Sequence, residues 1–462
     1  MPPHPALGAT GDAHRPRRRG VPPLSSHQRT LSGTLDDIAS AAARDAARFE
    51  LATPPRGVGG VAALASPDAS APEKSTPTTW GAWIRRHSWI PLTVFVLGIL
   101  LCAAVPGVAS FTGAEAGSEA PAKVPEVILL VVGDWGRLGA PAQIACADAM
   151  ESTAAQLRSE VAAGADGSYL GVVTTGDNFY EDGLRASSDA QFAASFSDVY
   201  QTNRTRPALF GLTWHGVVGN RDYHLSVAAQ VDELPSARPE WDVMVSGYRA
   251  WGPGGGSGSG EGGGGGPPSS PPALGACFVD TTPWIHSYRD HVPKSHYASL
   301  VTLLAAHGGS WHAWEAEALE GLEACLRASD ATWRVVVGHH PIVSHQAHRG
   351  SEPALARVRE LVERFGAAAY FNGHAHGLQH VAPASMPTTP GGEAPRTTRY
   401  VTSGAGSTVR AMENATRLPE ELTFFRDDGP GFVVVRANAR RLSITHHAAP
   451  GGEALFQETL VA

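Results

Sequence analysis

Charge is scarce in this chain. Its 462 residues include 36 Lys and Arg against 44 Asp and Glu, only 17% of the total, for a net charge of −8. No block of Lys or Arg is long enough to follow a nucleic-acid backbone, which argues against nucleic acid as a partner. Cysteine is scarcer still, at four residues. Cys102 lies in an apolar run, and Cys146, Cys277 and Cys325 form no CxxC pair, which argues against a structural zinc site of the usual spacing. The spacing leaves a Cys277–Cys325 bridge open.

What the chain has in excess is Gly and Pro, gathered in particular stretches. Residues 1–87 are rich in Pro, Ala, Ser and Gly without a sustained apolar period, and read as a disordered region with one transient helical patch over Leu35–Phe49. Residues 88–114 are largely apolar and uncharged, and a helix of about 20 such residues spans a bilayer core. The alternative, a signal peptide cleaved near Ala109, belongs within the first 15–30 residues of a chain. Arg85, Arg86 and His87 precede the segment, and Arg15, Arg17, Arg18 and Arg19 lie further upstream. Glu115 and Glu119 follow it. The positive-inside rule then leaves the N-terminus cytosolic and everything beyond a linker at 115–123 lumenal or extracellular. The sequons at Asn203 and Asn414 are compatible with a glycosylated lumenal domain.

From residue 124 to 462 the texture is that of a folded α/β domain. Apolar runs at Val127–Val132, Tyr169–Thr174, Trp214–Val218, Trp333–Val337 and Ala367–Phe371 read as buried parallel or mixed strands. Helical spacing recurs over Ala142–Val161, His312–Leu326 and Pro353–Phe365, the last with Ser351 as an N-cap candidate. A Gly, Pro and Ser-rich stretch at about 253–273 reads as a flexible surface insertion.

Each of the five strand candidates is closed, within a residue or two, by Gly and then a metal-ligand residue type. The pairs are Gly133-Asp134, Gly176-Asp177, Gly219-Asn220, Gly338-His339 and Gly373-His374. Ligands in open α/β sheets sit at the carboxyl ends of strands. Any one of these residues is most simply a turn or cap. Five in this order point to a site.

The local blocks are GDWG (133–136), GDNFY (176–180), GNRD (219–222), VVGHHP (336–341) and GHAH (373–376). Together they resemble the five blocks of the purple acid phosphatases, within the calcineurin-like metallophosphoesterases. FVDTTPW (278–284), SDATWRVVVGHHPI (329–342) and TSGAGS (402–407) are similar to stretches of the small, tartrate-resistant-type members. Most metallophosphoesterases carry His two residues after the first Asp, where this chain has Gly136. Tyr180, three residues after Asp177, is present instead, and a phenolate suits a ferric ion.

The resemblance implies an α/β two-sheet sandwich flanked by helices. It implies Fe3+ held by Asp134, Tyr180, His376 and a bridging Asp177. A divalent Fe2+, Zn2+ or Mn2+ would be held by Asn220, His339, His374 and the same Asp177. It further implies hydrolysis of phosphate monoesters, small or protein-borne, by a metal-activated hydroxide.

One position departs from the pattern. The family's Asn ligand is followed by a His that protonates the leaving group, and here Arg221 stands in its place. Arg binds phosphoryl oxygens but cannot give up a proton. His224 and His348 are candidates for a replacement acid, and His340 for lining the site. Two rival readings stay open: a non-catalytic phosphate-binding ectodomain, and a phosphodiesterase or pyrophosphatase on the same scaffold.

Overall fold

The computed structural model describes residues 124–162, 168–252, 255–258, 271–289, 298–346, 352–383, 397–411 and 422–462. The expected disordered region, helical patch, membrane span and linker over 1–123 lie outside the described residues. So do His348, Ser351, Asn414 and most of the Gly-rich insertion. Among the described residues no helix is long and apolar enough to cross a membrane.

The strands in chain order are β1 (Val127–Val132), β2 (Tyr169–Thr175), β3 (Trp214–Val217), β4 (Trp241–Met244), β5 (Ser246–Gly252), β6 (Gly255–Gly258), β7 (Leu274–Val279) and β8 (Trp333–Val337). They continue with β9 (Ala369–Asn372), β10 (Leu378–Val381), β11 (Arg399–Ser403), β12 (Leu422–Arg426), β13 (Gly431–Ala437), β14 (Arg441–Ala448) and β15 (Ala454–Val461). One sheet has the order β15-β14-β13-β1-β2-β3-β4, the other β12-β10-β11-β9-β8-β7-β5-β6. β1 to β4 run parallel in the first, as do β7, β8, β9 and β11 in the second. The five strands that end in candidate ligands are thus divided, three in one sheet and two in the other.

Alternation explains why two sheets form. Val127, Leu129 and Val131 of β1 face inward, onto Leu274, Ala276 and Phe278 of β7 and Trp333, Val335 and Val337 of β8. Ile128, Leu130 and Val132 point the other way and are covered by helix α1 (Pro141–Ala162) through Ala147, Met150 and Ala154. The described residues include three further long helices: α2 (Ala298–Ala306), α3 (Trp311–Ala328) and α4 (Ala356–Arg364). The last two cover the outer face of the second sheet, with Leu322, Leu326, Val358 and Leu361 against Val336 and Tyr370. Ser310 caps α3 by accepting from the Ala313 amide at 3.2 Å. Cys277 of β7 and Cys325 of α3 form a disulfide, which the sequence left undecided.

Three expectations need correction. Pro353–Leu355 is a 3-10 turn entered from Glu352, and α4 begins only at Ala356. Pro serves that first turn because it needs no amide donor there. The last of the five strands runs Ala369–Asn372 rather than from Ala367, after Gly366 takes a φ of +60° to leave the helix. Within the Gly-rich stretch, Gly255–Gly258 pairs with β5 as a short edge strand.

Candidate metal centre

The motif loops alternate between core and site. In GDWG, Trp135 turns inward and packs edge-on against Phe179, Tyr200 and Trp214 with ring centres 5.1–5.4 Å apart. Its Nε1 donates to Thr174 Oγ1 at 3.0 Å. In GDNFY, Asn178 donates to the Val217 carbonyl and to Gln230 Oε1, both at 3.1 Å. With these neighbours anchored, Asp134, Asp177 and Tyr180 are turned to the opposite side.

That arrangement needs unusual backbone. Asp134, Asp177 and His374 have φ of +60°, +51° and +63°, a left-handed conformation that non-glycine residues seldom hold. Such strain persists where the surroundings over-determine it. Gly176 (φ +91°) is as constrained: a Cβ there would stand 2.8 Å from the Gly219 amide nitrogen and from His339 Nδ1. At Gly136 a Cβ would lie 1.9 Å from the Asn178 carbonyl oxygen, so this backbone has no room for the histidine that other metallophosphoesterases carry there.

The candidate ligands meet in two groups. In the first, Tyr180 Oη lies 2.6 Å from Asp134 Oδ1, 2.9 Å from Asp177 Oδ2 and 3.0 Å from His376 Nε2. His376 Nε2 is 3.2 Å from Asp134 Oδ1. In the second, Asn220 Oδ1 lies 3.0 Å from His374 Nδ1 and 3.3 Å from His339 Nε2. Those two imidazole nitrogens are 3.3 Å apart, and His339 Nε2 is 3.4 Å from Asp177 Oδ1. Asp177 therefore gives one oxygen to each group. All seven side chains are buried.

These residues fit metal ions. Bonds of about 2.0–2.2 Å put neighbouring donors roughly 3 Å apart, the spacing seen in both groups. The first holds two carboxylates, a phenol and one imidazole, and the second two imidazoles, an amide oxygen and a carboxylate. The Thr175 carbonyl takes the Nδ1–H of His339 at 2.8 Å, which leaves its Nε2 lone pair facing the group. Burial works against a proton on His339, yet Asp177 and Asp134 outweigh it and lift its pKa to about 9. The cluster is short of positive charge.

Arg221 gives its amide to Asp177 Oδ1 at 2.8 Å, while its side chain extends to the rim. His224, next after the 3-10 turn Arg221–Tyr223, has Nδ1 paired with Asp182 at 2.8 Å. His340 lines the second group with its ring centre 4.5 Å from that of His374. Its two nitrogens face Thr281 Oγ1 and Tyr288 Oη at 2.9 and 3.1 Å.

Two contributors were not read from the sequence. Asp222 ties the second and third motif loops by accepting from the amides of Gly219, Asn178 and Phe179 at 2.8–3.2 Å. Burial, then the charge of Asp177, pushes its pKa up to about 7. Its place inside GNRD was the available signal. Arg137 holds its guanidinium 3.7 Å over the Tyr180 ring. A single Arg after GDWG carries no such signal.

Comparison with known proteins follows the same lines. The model of the calcineurin-like phosphoesterase family matches residues 128–378. Purple acid phosphatase 17 of Arabidopsis thaliana is 30% identical over 349 residues, covering 74% of this chain and 86% of the relative. Tartrate-resistant acid phosphatase type 5 of Homo sapiens is 24% identical, covering 74% and 93%. Among solved structures, GAP50, described as the anchor in the inner membrane complex of Plasmodium, is similar in fold. Its TM-score is 0.51 at 18% identity, over 73% of this chain and 89% of that one.

Proposed function

The chain belongs to the calcineurin-like phosphoesterases, and from that premise we propose that it is a purple-acid-phosphatase-type hydrolase of phosphate monoesters with a dinuclear metal centre. The observation that carries the reading is the division of Asp177, with Oδ2 toward Tyr180 and Oδ1 toward His339. Asp134, Tyr180, His376 and Asp177 would hold a ferric ion, since hard oxygen donors and a phenolate suit it. Asn220, His339, His374 and Asp177 would hold divalent iron, zinc or manganese. When bound, such ions neutralise phosphate charge and lower the pKa of an attacking water.

The chain's own residues do the rest. The Arg221 amide fixes the shared carboxylate, and its guanidinium can hold a phosphoryl oxygen at the rim. It cannot protonate a leaving group. Arg221 is also what favours the non-catalytic reading, against which the complete donor set weighs. Gly136, with no room for a side chain, counts against most diesterase branches.

The proposal includes an anchor at 88–114, with a cytosolic N-terminus and a lumenal or extracellular catalytic domain. The Cys277–Cys325 disulfide supports an oxidising compartment. The test is the purified protein. It should bind two metal ions per chain, hydrolyse p-nitrophenyl phosphate and, when iron-loaded, absorb in the visible until Tyr180→Phe removes the band. Colour that survives this substitution takes Tyr180 out of the site. In sealed secretory vesicles an N-terminal tag should be cut by protease and the catalytic domain spared. A soluble product starting near Ser110 would overturn the anchor.

A further inference from the structure

Two half-sequestered cations share one exposed carboxylate beside the metal centre. Arg137 and Arg221 have side chains 19% and 27% exposed, and Glu181, next to Tyr180, is 63% exposed. Glu181 Oε1 is 2.6 Å from Arg137 Nη1, and its Oε2 is 3.9 Å from Arg221 Nη1. Both guanidiniums lie within reach of the Tyr180 ring, at 3.7 and 6.0 Å from its centre. The Tyr180 hydroxyl belongs to the first donor group.

An ordinary surface ion pair matches one cation to one anion and contributes little. Here the balance is two to one, and the cations are the less exposed members. Arg137 is stacked on the ring and also donates from Nε to Ser407 Oγ at 3.1 Å. Arg221 keeps a buried Nε with no hydrogen-bond partner. The next acidic side chain, Asp182, is taken up by His224.

We propose that Arg137 and Arg221 form a second anion subsite at the rim, occupied by the Glu181 carboxylate until a substrate displaces it. Its occupant is a second phosphate group on a substrate whose first phosphate lies at the metal centre. This rests on the phosphatase reading above and narrows it to doubly phosphorylated substrates. A phosphate fits the place because two guanidiniums present several N–H donors to its oxygens, whereas the carboxylate engages each with a single oxygen. Displacing an exposed Glu from a weak pair costs little.

The experiment compares two non-hydrolysable competitors of p-nitrophenyl phosphate turnover, methylphosphonate and methylenebisphosphonate, on the metal-loaded full chain. The wild type should bind the bisphosphonate more tightly. Arg137→Met should weaken the bisphosphonate by roughly 10-fold more than the monophosphonate, as expected for one lost charge-assisted contact. Glu181→Gln should strengthen the bisphosphonate relative to the monophosphonate. Glu181 is exposed enough that this variant folds if the wild type does. Equal shifts for both ligands in both variants would overturn the subsite while leaving the phosphatase reading intact. Failure of the phosphatase reading shows separately, as wild-type protein with bound metal and no turnover.

Discussion

His339 at the metal centre and His446 in a second histidine cluster are both fully buried, and their proton affinities move in opposite directions. Around His339, burial is outweighed by Asp177 and Asp134, and the pKa rises to about 9. Around His446, burial is reinforced by His380 and His447, and the pKa falls well below the ordinary value. The second cluster closes the place where β10 and β12 of one sheet meet β14 and β15 of the other. His380 lies 3.3 Å from His446 and 2.7 Å from Glu458, and Phe424 stacks on Phe456. Glu458 is satisfied there: the His380 hydrogen bond and Arg399 hold its pKa down to about 2 despite burial.

The backbone separates the two clusters as clearly. His380, His446 and Glu458 sit in strands without a positive φ, although the register shifts beside both histidines. Asp134, Asp177 and His374 are held at positive φ. A buried histidine cluster is therefore no sign of a metal site by itself. Carboxylates in excess of their cations, on backbone that must be held in place, are the distinguishing marks.

The sharpest way to break the contrast is Asp177→Asn. One amide cannot serve both donor groups as a carboxylate does, so turnover of p-nitrophenyl phosphate should disappear and bound metal should fall from two ions per chain to one or fewer. Metal analysis and an activity assay check this. Two retained ions would show that Asp177 is not shared.

A gentler test adds an imidazole to the metal centre. Arg221→His should raise turnover of alkyl phosphates selectively, by up to about the 10²–10⁴-fold that a positioned acid supplies. Esters such as p-nitrophenyl phosphate, whose leaving group needs no proton, should gain little. Equal gains on both would show that the imidazole does not act as the acid, and wild-type turnover already equal on both would mean that another residue donates the proton.

The smallest effect comes from removing an imidazole from the second cluster. Because the folded state keeps His446 neutral, the unfolded chain binds a proton that the folded chain refuses once pH drops below about 6.5. His446 therefore lends stability above that pH and loses it as pH falls, by about 1.4 kcal/mol per pH unit. His447, also held down by burial, adds a slope of the same sign. Glu458 acts only lower, between its ordinary value and about 2. His446→Gln should make the thermal midpoint fall less steeply between pH 6.5 and 5 while metal content stays at the wild-type level. A slope unchanged from wild type would show that His446 takes up its proton in the folded state.

Much of the site was legible because its signals are local. Val127–Val132 is apolar at every position, as a strand covered on both faces must be, and the Gly-Asp that ends it marks a turn bearing a ligand. The same reasoning placed β2, β3 and β8 to within a residue. It was less accurate at Ala367 and Pro353, where a glycine exit and a 3-10 turn shift the boundaries without changing the apolar pattern.

From the sequence alone came the seven donor types, their order along the chain and the absence of a side chain at Gly136. Each depends on a residue and its near neighbours. Only the tertiary structure decided that three of the ligand-bearing strands belong to one sheet and two to the other. It also decided that Asp177 turns an oxygen to each group, that Cys277 meets Cys325, and that Glu181 stands between Arg137 and Arg221. Those facts join residues far apart in sequence, Arg137 and Glu181 across 44 positions and Cys277 and Cys325 across 48. Periodicity reports which side of an element is buried. It carries no information on which distant loop that element will meet, because packing between sheets is set by the whole core.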